Sequence, residues 1–181
     1  MSMRRGGAVL VLLWLAACAS TRVIDRAGDG TPILIGGAQP DGESLERLQR
    51  FHGVKTVVNL RGEHPDEAWY VRERDGVAAI GAQWIHLPTS GYLAPPSKTV
   101  TAFFDIVEDR ANWPVFVHCQ MGIHRTGLML ALYRRQYQGW TGEQAWVEMK
   151  SNGFSWTRVD SSAVEAYVRS YAPDPKRTIQ R

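Results

Sequence analysis

Short apolar runs separated by helical patterns extend along most of this 181-residue chain. Runs that are rich in Val, Ile and Leu and bounded by Gly, Pro or charged residues are typical of buried strands. The sequence contains four of them: PILIG at 32–36, KTVVNL at 55–60, QWIHL at 83–87 and PVFVH at 114–118. We therefore predict four strands, of which the last is the most apolar.

Helical periodicity fills the intervals between these runs. Apolar residues recur three, four and seven positions apart, and capping residues precede several of the repeats. The first predicted helix is capped by Asp41 and has Leu45, Leu48 and Phe51 on one side, and the second extends from Asp66 to about Arg74 and stops near Gly76. The third begins at Ser97, and the fourth extends from Arg125 to Gly139. The last two follow capping residues, Thr141 with Gln144 and Ser162 with Glu165.

Strands that alternate with helices predict a single α/β domain, with a central, mostly parallel or mixed sheet flanked by helices. We place this domain at residues 31–172, after a polar tether at 18–30 and before a flexible tail at 173–181. The loop that follows PVFVH leaves the carboxyl end of a strand, where ligands bind in open α/β sheets.

The N-terminus has the layout of a secretory signal peptide at 1–17, because Arg4 and Arg5 precede a short apolar run. This run is shorter than the roughly 20 residues that a membrane-spanning helix needs. Its end, LAAC, resembles the lipobox of bacterial lipoproteins, which implies cleavage before Cys18 and a lipid anchor on it. Ala19, in place of Asp, implies the outer membrane, facing the periplasm. A plain signal peptide or an uncleaved anchor is the alternative.

The chain is mildly basic, with 21 Lys and Arg against 18 Asp and Glu, a net charge of +3 and a pI of about 9.0. It has no Lys/Arg-rich block of the kind that nucleic-acid-binding proteins carry, so we expect no nucleic-acid partner. An anionic small substrate or a negatively charged membrane surface suits this balance.

Cysteine usage raises the question of chemistry. The chain has 2 cysteines, and lipidation of Cys18 leaves Cys119 as a lone thiol in an oxidising compartment. A lone thiol has no intramolecular partner for a disulfide. Cys119 therefore serves either packing or catalysis.

The segment VHCQMGIHRTG at 117–127 supplies what a reactive thiol needs. Gly122 allows a tight turn, so that backbone N–H groups can point inward around an anion at the positive end of the following helix. Arg125 adds a planar fork that grips two phosphate oxygens. The predicted phosphate-binding residues are Gln120, Met121, Gly122, Ile123, His124 and Arg125.

Surroundings of this kind lower the pKa of a cysteine thiol from about 8.5 to between about 3.5 and 7.5. Cys119 is then a thiolate that attacks a phosphate monoester in line and forms a thiophosphoryl enzyme, which water hydrolyses. Arg125 meets the charge that develops on the phosphate. Thr126 is placed to donate its hydroxyl to the sulfur, and His118 to fix the loop through hydrogen bonds.

The stretch HCQMGIHRTG resembles the signature His-Cys-x-x-Gly-x-x-Arg-Thr/Ser-Gly of cysteine-dependent protein tyrosine and dual-specificity phosphatases. Residues 39–63 resemble the opening of small bacterial and atypical dual-specificity members, and residues 139–154 the helix after their signature helix. The resemblance extends over about 31–170. It implies a cysteine-phosphatase-like fold, and a phosphorylated protein or small phosphomonoester as the substrate.

One departure from the family pattern concerns the general acid. Family members usually carry an Asp on the loop after a strand like QWIHL, whereas residues 88–92 here read PTSGY, without a carboxylate. A general acid contributes roughly 10²–10⁴-fold to a rate. Glu63, Asp66 and Glu67 lie nearby in the sequence, and Asp66 is our candidate, although a charge that complements a helix dipole is the simpler interpretation of it.

The variable positions of the loop predict the substrate class. Gln120, Met121 and Ile123 are uncharged, and only His124 can become cationic. Relatives that act on highly phosphorylated inositols often have lysines at these positions. We therefore predict a preference for a singly phosphorylated group.

Other classes fit less well. His52, His64 and His86 match no metal-ligand spacing, and the resemblance implies no metal or other cofactor. Rhodanese-type sulfurtransferases usually have a shorter loop, while low-molecular-weight phosphatases and arsenate reductases place the motif at the chain start. A non-catalytic phosphate-binding pseudophosphatase on the cell envelope is the alternative function.

Overall fold

The computed structural model describes residues 21–155 and 161–181, and a five-stranded sheet lies at its centre. The strands are β1 (Arg22–Arg26), β2 (Pro32–Gly37), β3 (Thr56–Asn59), β4 (Gln83–His86) and β5 (Val115–His118), in the order β1-β2-β5-β3-β4. β1 runs antiparallel to β2, and the other neighbours are parallel. The predicted fold class, a single α/β domain with a mixed sheet flanked by helices, is confirmed.

Helices cover both faces of the sheet. They are α1 (Gly42–His52), α2 (Ala68–Ala79), α3 (Ser97–Glu108), α4 (His124–Tyr137), α5 (Gly142–Ser151) and α6 (Ser162–Ser170). α1 and α2 pack on one face, and α3 to α6 on the other, each face with its own hydrophobic cluster. Across the two described ranges, no helix has the length and apolar character that crossing a membrane requires.

Strand β5 lies in the middle of the sheet and directs its side chains alternately to the two helical layers. Val115 and Val117 belong to the cluster under α3 to α6, whereas Phe116 belongs to the cluster under α1 and α2. The ring of His118 stacks on Phe116 and therefore also faces the layer of α1 and α2. The next residue, Cys119, begins the loop that leaves the sheet.

The domain begins earlier than the sequence indicates. We predict a tether through residue 30, but Arg22–Arg26 form the antiparallel edge strand β1, in which Val23 pairs with Ile35 and Ile24 is buried. The pattern RVIDR gives little signal for a strand because charged residues flank only two apolar ones. Its pairing depends on β2, a partner that follows in the sequence.

Helix α2 also differs from its prediction, because it begins after Asp66 and continues through Gly76 to Ala79. A Cβ atom added at Gly76 would lie 2.7 Å from Cδ1 of Leu45 on α1. This glycine therefore allows two helices to pack closely and does not stop α2. Phe51, predicted on the inner side of α1, is instead 66% exposed.

The C-terminal residues, expected to be a flexible tail, make specific contacts with the domain. Arg177 pairs with Asp105 and Glu108 of α3. Arg181 pairs with Asp25 of β1 at 3.1 Å. The tail thus bridges helix α3 and the edge strand through ion pairs, which the sequence gives no means of anticipating.

Candidate active site

The loop from Cys119 to Arg125 connects the central strand β5 to helix α4, and Gly122 fixes its path. Gly122 has φ +71°, a left-handed conformation that favours glycine. A Cβ atom there would lie 2.7 Å from backbone atoms of Gly37 and Ala38. Any side chain at this position would push the loop off the end of strand β2.

The thiol of Cys119 lies at the base of this loop, in a residue that is only 2% exposed. Burial by itself raises the pKa of the thiol. Hydrogen bonds from Thr126 and from the backbone N–H of Gly122, together with the charge of Arg125, outweigh burial and hold the pKa below its usual range. The surroundings therefore favour the thiolate, which is the nucleophilic form.

Thr126 lies where the sequence predicts it, with both its backbone N–H and its hydroxyl directed at the sulfur. The hydroxyl also lies 3.3 Å from the carbonyl oxygen of Gly37. One hydroxyl proton serves one acceptor at a time, and a charged sulfur is the stronger acceptor. Thr126 can thus stabilise the thiolate, and it bonds to strand β2 when the sulfur is protonated.

Arg125 lies in the first turn of α4, whose positive end faces the loop. Its Nη1 donates to the carbonyl oxygen of Leu60 at 3.5 Å, and a Cβ atom added at Gly91 would lie 3.9 Å from its Nε. These contacts hold the guanidinium at the side of the cleft above Cys119. The placement fits the predicted grip on phosphate oxygens.

A cleft of about 250 Å³ opens above the sulfur. Its lining comprises Gly91, Tyr92, Cys119, Gln120, Met121, His124 and Arg125. The other two predicted phosphate-binding residues belong to the loop but lie outside this lining, since Gly122 is buried against β2 and Ile123 packs against the core. Their contribution to anion binding is confined to the backbone N–H groups.

His124 is the one loop side chain with a titratable group besides the thiol and Arg125. Burial lowers its pKa, a hydrogen bond with the backbone of Ser155 opposes that effect, and Arg125 lowers it further. The net direction is down from an ordinary value near 6.5. The imidazole is therefore neutral at neutral pH, and the loop carries no second cation.

The loop after β4 reaches the cleft without bringing an acid to it. Ser90 accepts hydrogen bonds from the backbone N–H groups of Tyr92 and Leu93, which folds the loop into a tight turn. Tyr92 lines the cleft and is 56% exposed. Among the residues that the structure describes, the cleft lining contains no carboxylate.

The candidate acids from the sequence lie outside this lining. Glu63, Asp66 and Glu67 are all exposed, in the segment that precedes α2. Glu67 is the N-cap of α2 and makes no side-chain capping bond. The structure therefore does not bring Asp66 to the cleft.

A buried polar network behind the loop contains residues that sequence analysis missed. Glu73 of α2 accepts hydrogen bonds from Nε2 of His118 at 2.8 Å and from Nε1 of Trp84 at 2.7 Å. Glu73 and His118 are both fully buried. The signal was available, since Tyr70, Glu73 and Val77 share the inner side of α2, and a carboxylate in such a stripe needs partners.

Two further predictions, on lipidation and on metal binding, concern residues outside the cleft. Cys18, the predicted lipidation site, lies outside the described residues. Within residues 21–155 and 161–181, no three His, Cys, Asp or Glu side chains come together as a metal-binding group.

Comparison with known sequences places the chain among phosphatases. A family model described as "DSP-PTPase phosphatase fused to NAD+ Kinase" matches residues 19–169. The chain is 33% identical over 147 residues to the dual specificity protein phosphatase TpbA of Pseudomonas aeruginosa, an alignment that covers 81% of this chain and 63% of TpbA. The match thus spans less than two thirds of the length of that relative.

Solved structures give the same grouping. The crystal structure of P. aeruginosa TpbA is similar with a TM-score of 0.59 and 31% identity, covering 77% of this chain and 80% of that one. A cysteine-to-serine variant of TpbA was solved in complex with phosphotyrosine (TM-score 0.58, 28% identity, covering 76% and 78%). The catalytic core of SIW14 from Saccharomyces cerevisiae, solved with citrate, shares the fold with a TM-score of 0.66 at 23% identity, covering 80% and 84%.

Proposed function

This chain belongs to the DSP-PTPase family of phosphatases, and from that premise we propose that it hydrolyses phosphate monoesters through a covalent intermediate on Cys119. The observation that carries the proposal is the thiol itself. Its pKa is lowered by hydrogen bonds from Gly122 and Thr126 and by the charge of Arg125, at the base of an open cleft.

The chemistry takes place in two steps. The thiolate of Cys119 attacks phosphorus in line, so that a P–S bond forms as the ester P–O bond breaks, and the leaving oxygen takes its proton from solvent. Water then attacks phosphorus, the P–S bond breaks and inorganic phosphate leaves. The loop N–H groups and Arg125 stabilise the equatorial oxygens in both steps, and Thr126 stabilises the departing thiolate.

Hydrolysis of p-nitrophenyl phosphate by the purified domain tests this proposal, because its leaving group needs almost no acid. We expect turnover by the wild type, and Cys119→Ser should lose at least about 10³-fold in kcat while it still binds tungstate. Near-wild-type turnover by Cys119→Ser would exclude the thiophosphoryl intermediate.

The substrate that fits this cleft carries a single phosphate. The support is that Gln120 and Met121 are uncharged and that the pKa of His124 is lowered, first by burial. Tyr92 offers an aromatic surface beside the phosphate position. A higher kcat/KM for inositol polyphosphates than for phosphotyrosine would overturn this preference.

The alternative function is a phosphate-binding pseudophosphatase. It draws support from the missing carboxylate in the described cleft lining, while the lowered thiol pKa favours catalysis. If the wild type binds tungstate but releases no p-nitrophenol over hours, the binding module replaces the enzyme as the better interpretation.

The location in the cell that we propose is the bacterial envelope, with a lipid anchor on Cys18 that holds the domain at the outer membrane, facing the periplasm. The support is the sequence LAAC and the signal-peptide pattern before it. Mass spectrometry of the mature protein provides the test. An unmodified Cys18, or an N-terminus upstream of it, would exclude the anchor.

A further inference from the structure

The carboxylate of Glu73 has three hydrogen-bond donors, all inside the protein. Oε1 accepts from Nε2 of His118 at 2.8 Å and from Nε1 of Trp84 at 2.7 Å, and Oε2 accepts from Nε2 of Gln39. Burial raises the pKa of Glu73, but these donors, with His118 first among them, outweigh burial and keep the carboxylate ionised. The group touches neither the cleft nor the sulfur.

Two of these donor residues, His118 and Gln39, also contact the catalytic loop through a second nitrogen atom. Nδ1 of His118 lies 3.4 Å from the carbonyl oxygen of Cys119, to which it donates in the form of the ring that carries a proton on both nitrogens. The backbone N–H of Gln39 donates to the carbonyl oxygen of Gln120 at 3.2 Å. Glu73 therefore connects, through one intermediate residue each, to the carbonyl groups of two consecutive loop residues.

These two carbonyl groups decide where the next two N–H groups point. In a trans peptide the C=O of one residue and the N–H of the next are directed oppositely. Holding the carbonyl of Cys119 against His118 turns the N–H of Gln120 the other way, and holding the carbonyl of Gln120 against Gln39 does the same for Met121. Gln120 and Met121 both line the cleft.

We propose that Glu73 is a positioning residue for the phosphatase reaction: through His118 and Gln39 it orients the N–H groups of Gln120 and Met121 toward the phosphate. The role goes beyond the proposed function and rests on it. Glu73 contacts no reacting atom, and it acts on the catalytic loop from the opposite helical layer.

Each hydrogen bond of this network has a defined donor and acceptor, so substitutions that exchange them can test it. Oε1 of Gln39 accepts from Nη1 of Arg61 at 2.8 Å, so the amide of Gln39 has its oxygen toward Arg61 and its nitrogen toward Glu73. Glu73→Gln keeps the shape of the side chain, but its new amide nitrogen faces the amide nitrogen of Gln39, so that two donors meet. Gln39→Glu in the same chain restores the match, because the new carboxylate accepts from Arg61 and from the new amide at position 73.

The test compares Glu73→Gln, the double variant Glu73→Gln/Gln39→Glu, and the matched control Asp75→Asn. Asp75 lies on the same helix with its side chain exposed, and its substitution makes the same change of charge. We expect Glu73→Gln to lose roughly 10- to 100-fold in tungstate affinity and in kcat/KM, less than or comparable to the loss of one oxyanion donor. The double variant should recover most of this loss, and Asp75→Asn should behave as the wild type.

The pH dependence of thiol alkylation separates positioning from a direct effect of charge. Among the described residues, the charged or titratable groups around the sulfur are Arg125, Arg61, His124 and Tyr92, with His118 and Glu73 behind it. Removing the negative charge of Glu73 would by itself move the alkylation midpoint to lower pH. Disorder of the loop that reaches Gly122, whose N–H donates to the sulfur, moves the midpoint to higher pH, and this upward shift is what we expect.

The proposal fails if folded Glu73→Gln binds tungstate and alkylates as Asp75→Asn does, or if the midpoint moves down. It also fails if the double variant, folded by circular dichroism, shows no recovery. Tungstate affinity and alkylation do not require turnover, so these outcomes stay distinguishable from a failure of the proposed hydrolysis.

Discussion

Two loops meet at the cleft, and they differ in how firmly the fold holds them. The loop from Cys119 to Arg125 follows β5, which has a parallel neighbour on both sides. The loop after β4 follows an edge strand with one neighbour. Backbone bonds from Leu60 and Gln39 hold the carboxyl end of strand β5 and the start of its loop, at 3.0 and 3.2 Å. The second loop has a longer bond, from the N–H of Thr89 to Leu60 at 3.4 Å, and beyond it exposes Tyr92 and Leu93.

The two loops differ in the part of the proposed reaction that each can serve. The central loop contains the nucleophile, the N–H donors and Arg125, all of which must be placed accurately to act on phosphorus. The edge loop contributes the aromatic ring of Tyr92 to the cleft lining and no acid. We therefore expect a site that is complete for bond formation at phosphorus and dependent on the substrate for departure of the leaving group.

The largest expected effect is on leaving-group dependence. We compare the kcat/KM for p-nitrophenyl phosphate with that for an alkyl phosphate. Because the cleft lining has no carboxylate, the ratio of these two values should be roughly 10²–10⁴-fold larger in the wild type than in an enzyme with a general acid. Steady-state kcat/KM over a series of aryl and alkyl esters measures this. Tyr92→Asp should narrow the gap, and Leu93→Asp, in the same loop but outside the cleft lining, should not. A flat series in the wild type would mean that an acid acts here after all.

Arg125→Lys probes the firm loop. A lysine supplies charge but not the planar fork, so we expect kcat to fall by roughly 10²–10³-fold and tungstate binding to weaken with it. Arg47→Lys, on the exposed side of α1, is the control. If Arg125→Lys were as active as Arg47→Lys, Arg125 would not bind the phosphate through its planar guanidinium.

A pair of glycines tests whether close packing gives the central loop its rigidity. Gly122 and Gly139 have φ values of +71° and +69°, but only Gly122 is crowded, with no heavy atom within 4 Å of a Cβ at Gly139. Gly139→Ala should lower the free energy of unfolding by about 1–2 kcal/mol. Gly122→Ala adds an overlap of about 1–3 kcal/mol and should also weaken tungstate binding. Urea titration and inhibition constants measure both, and equal losses in the two variants would contradict the packing argument.

The smallest expected effect belongs to Asp66. The residue is exposed and absent from the cleft lining, so Asp66→Asn should change kcat/KM by less than about twofold, as for an ordinary surface substitution. The substrate for this measurement is an alkyl phosphate, where an acid matters most. A loss of 100-fold would instead show that the segment before α2 supplies the acid, as a third part of the site.

The parts of the site that sequence analysis could predict are those encoded within a few residues. Cys119, Gly122, Arg125 and Thr126 lie in one strand–loop–helix segment, so the chain itself keeps them close to one another. The same holds for the caps at Asp41 and at Thr141, which the structure contains as predicted. Short-range hydrogen bonds decide such features.

Features that depend on distant partners were missed or misjudged. Strand β1 exists because β2 offers an edge, and Gly76 lies inside α2 because Leu45 of another helix packs against it. Two of the three partners of Glu73, Gln39 and His118, are 34 and 45 residues away along the chain. Their residue types permit these contacts but do not specify them.

The sequence alone therefore determined the fold class of this protein, and it supplied the nucleophile and the anion-binding loop that we propose. Only the tertiary structure decided which residues contact that loop from behind, that the segment around Asp66 stays outside the cleft, and that Tyr92 lines it. The physical reason is range: backbone dihedrals and helix dipoles act within one loop, whereas buried polar groups find their partners only once the sheet and both helical layers have assembled.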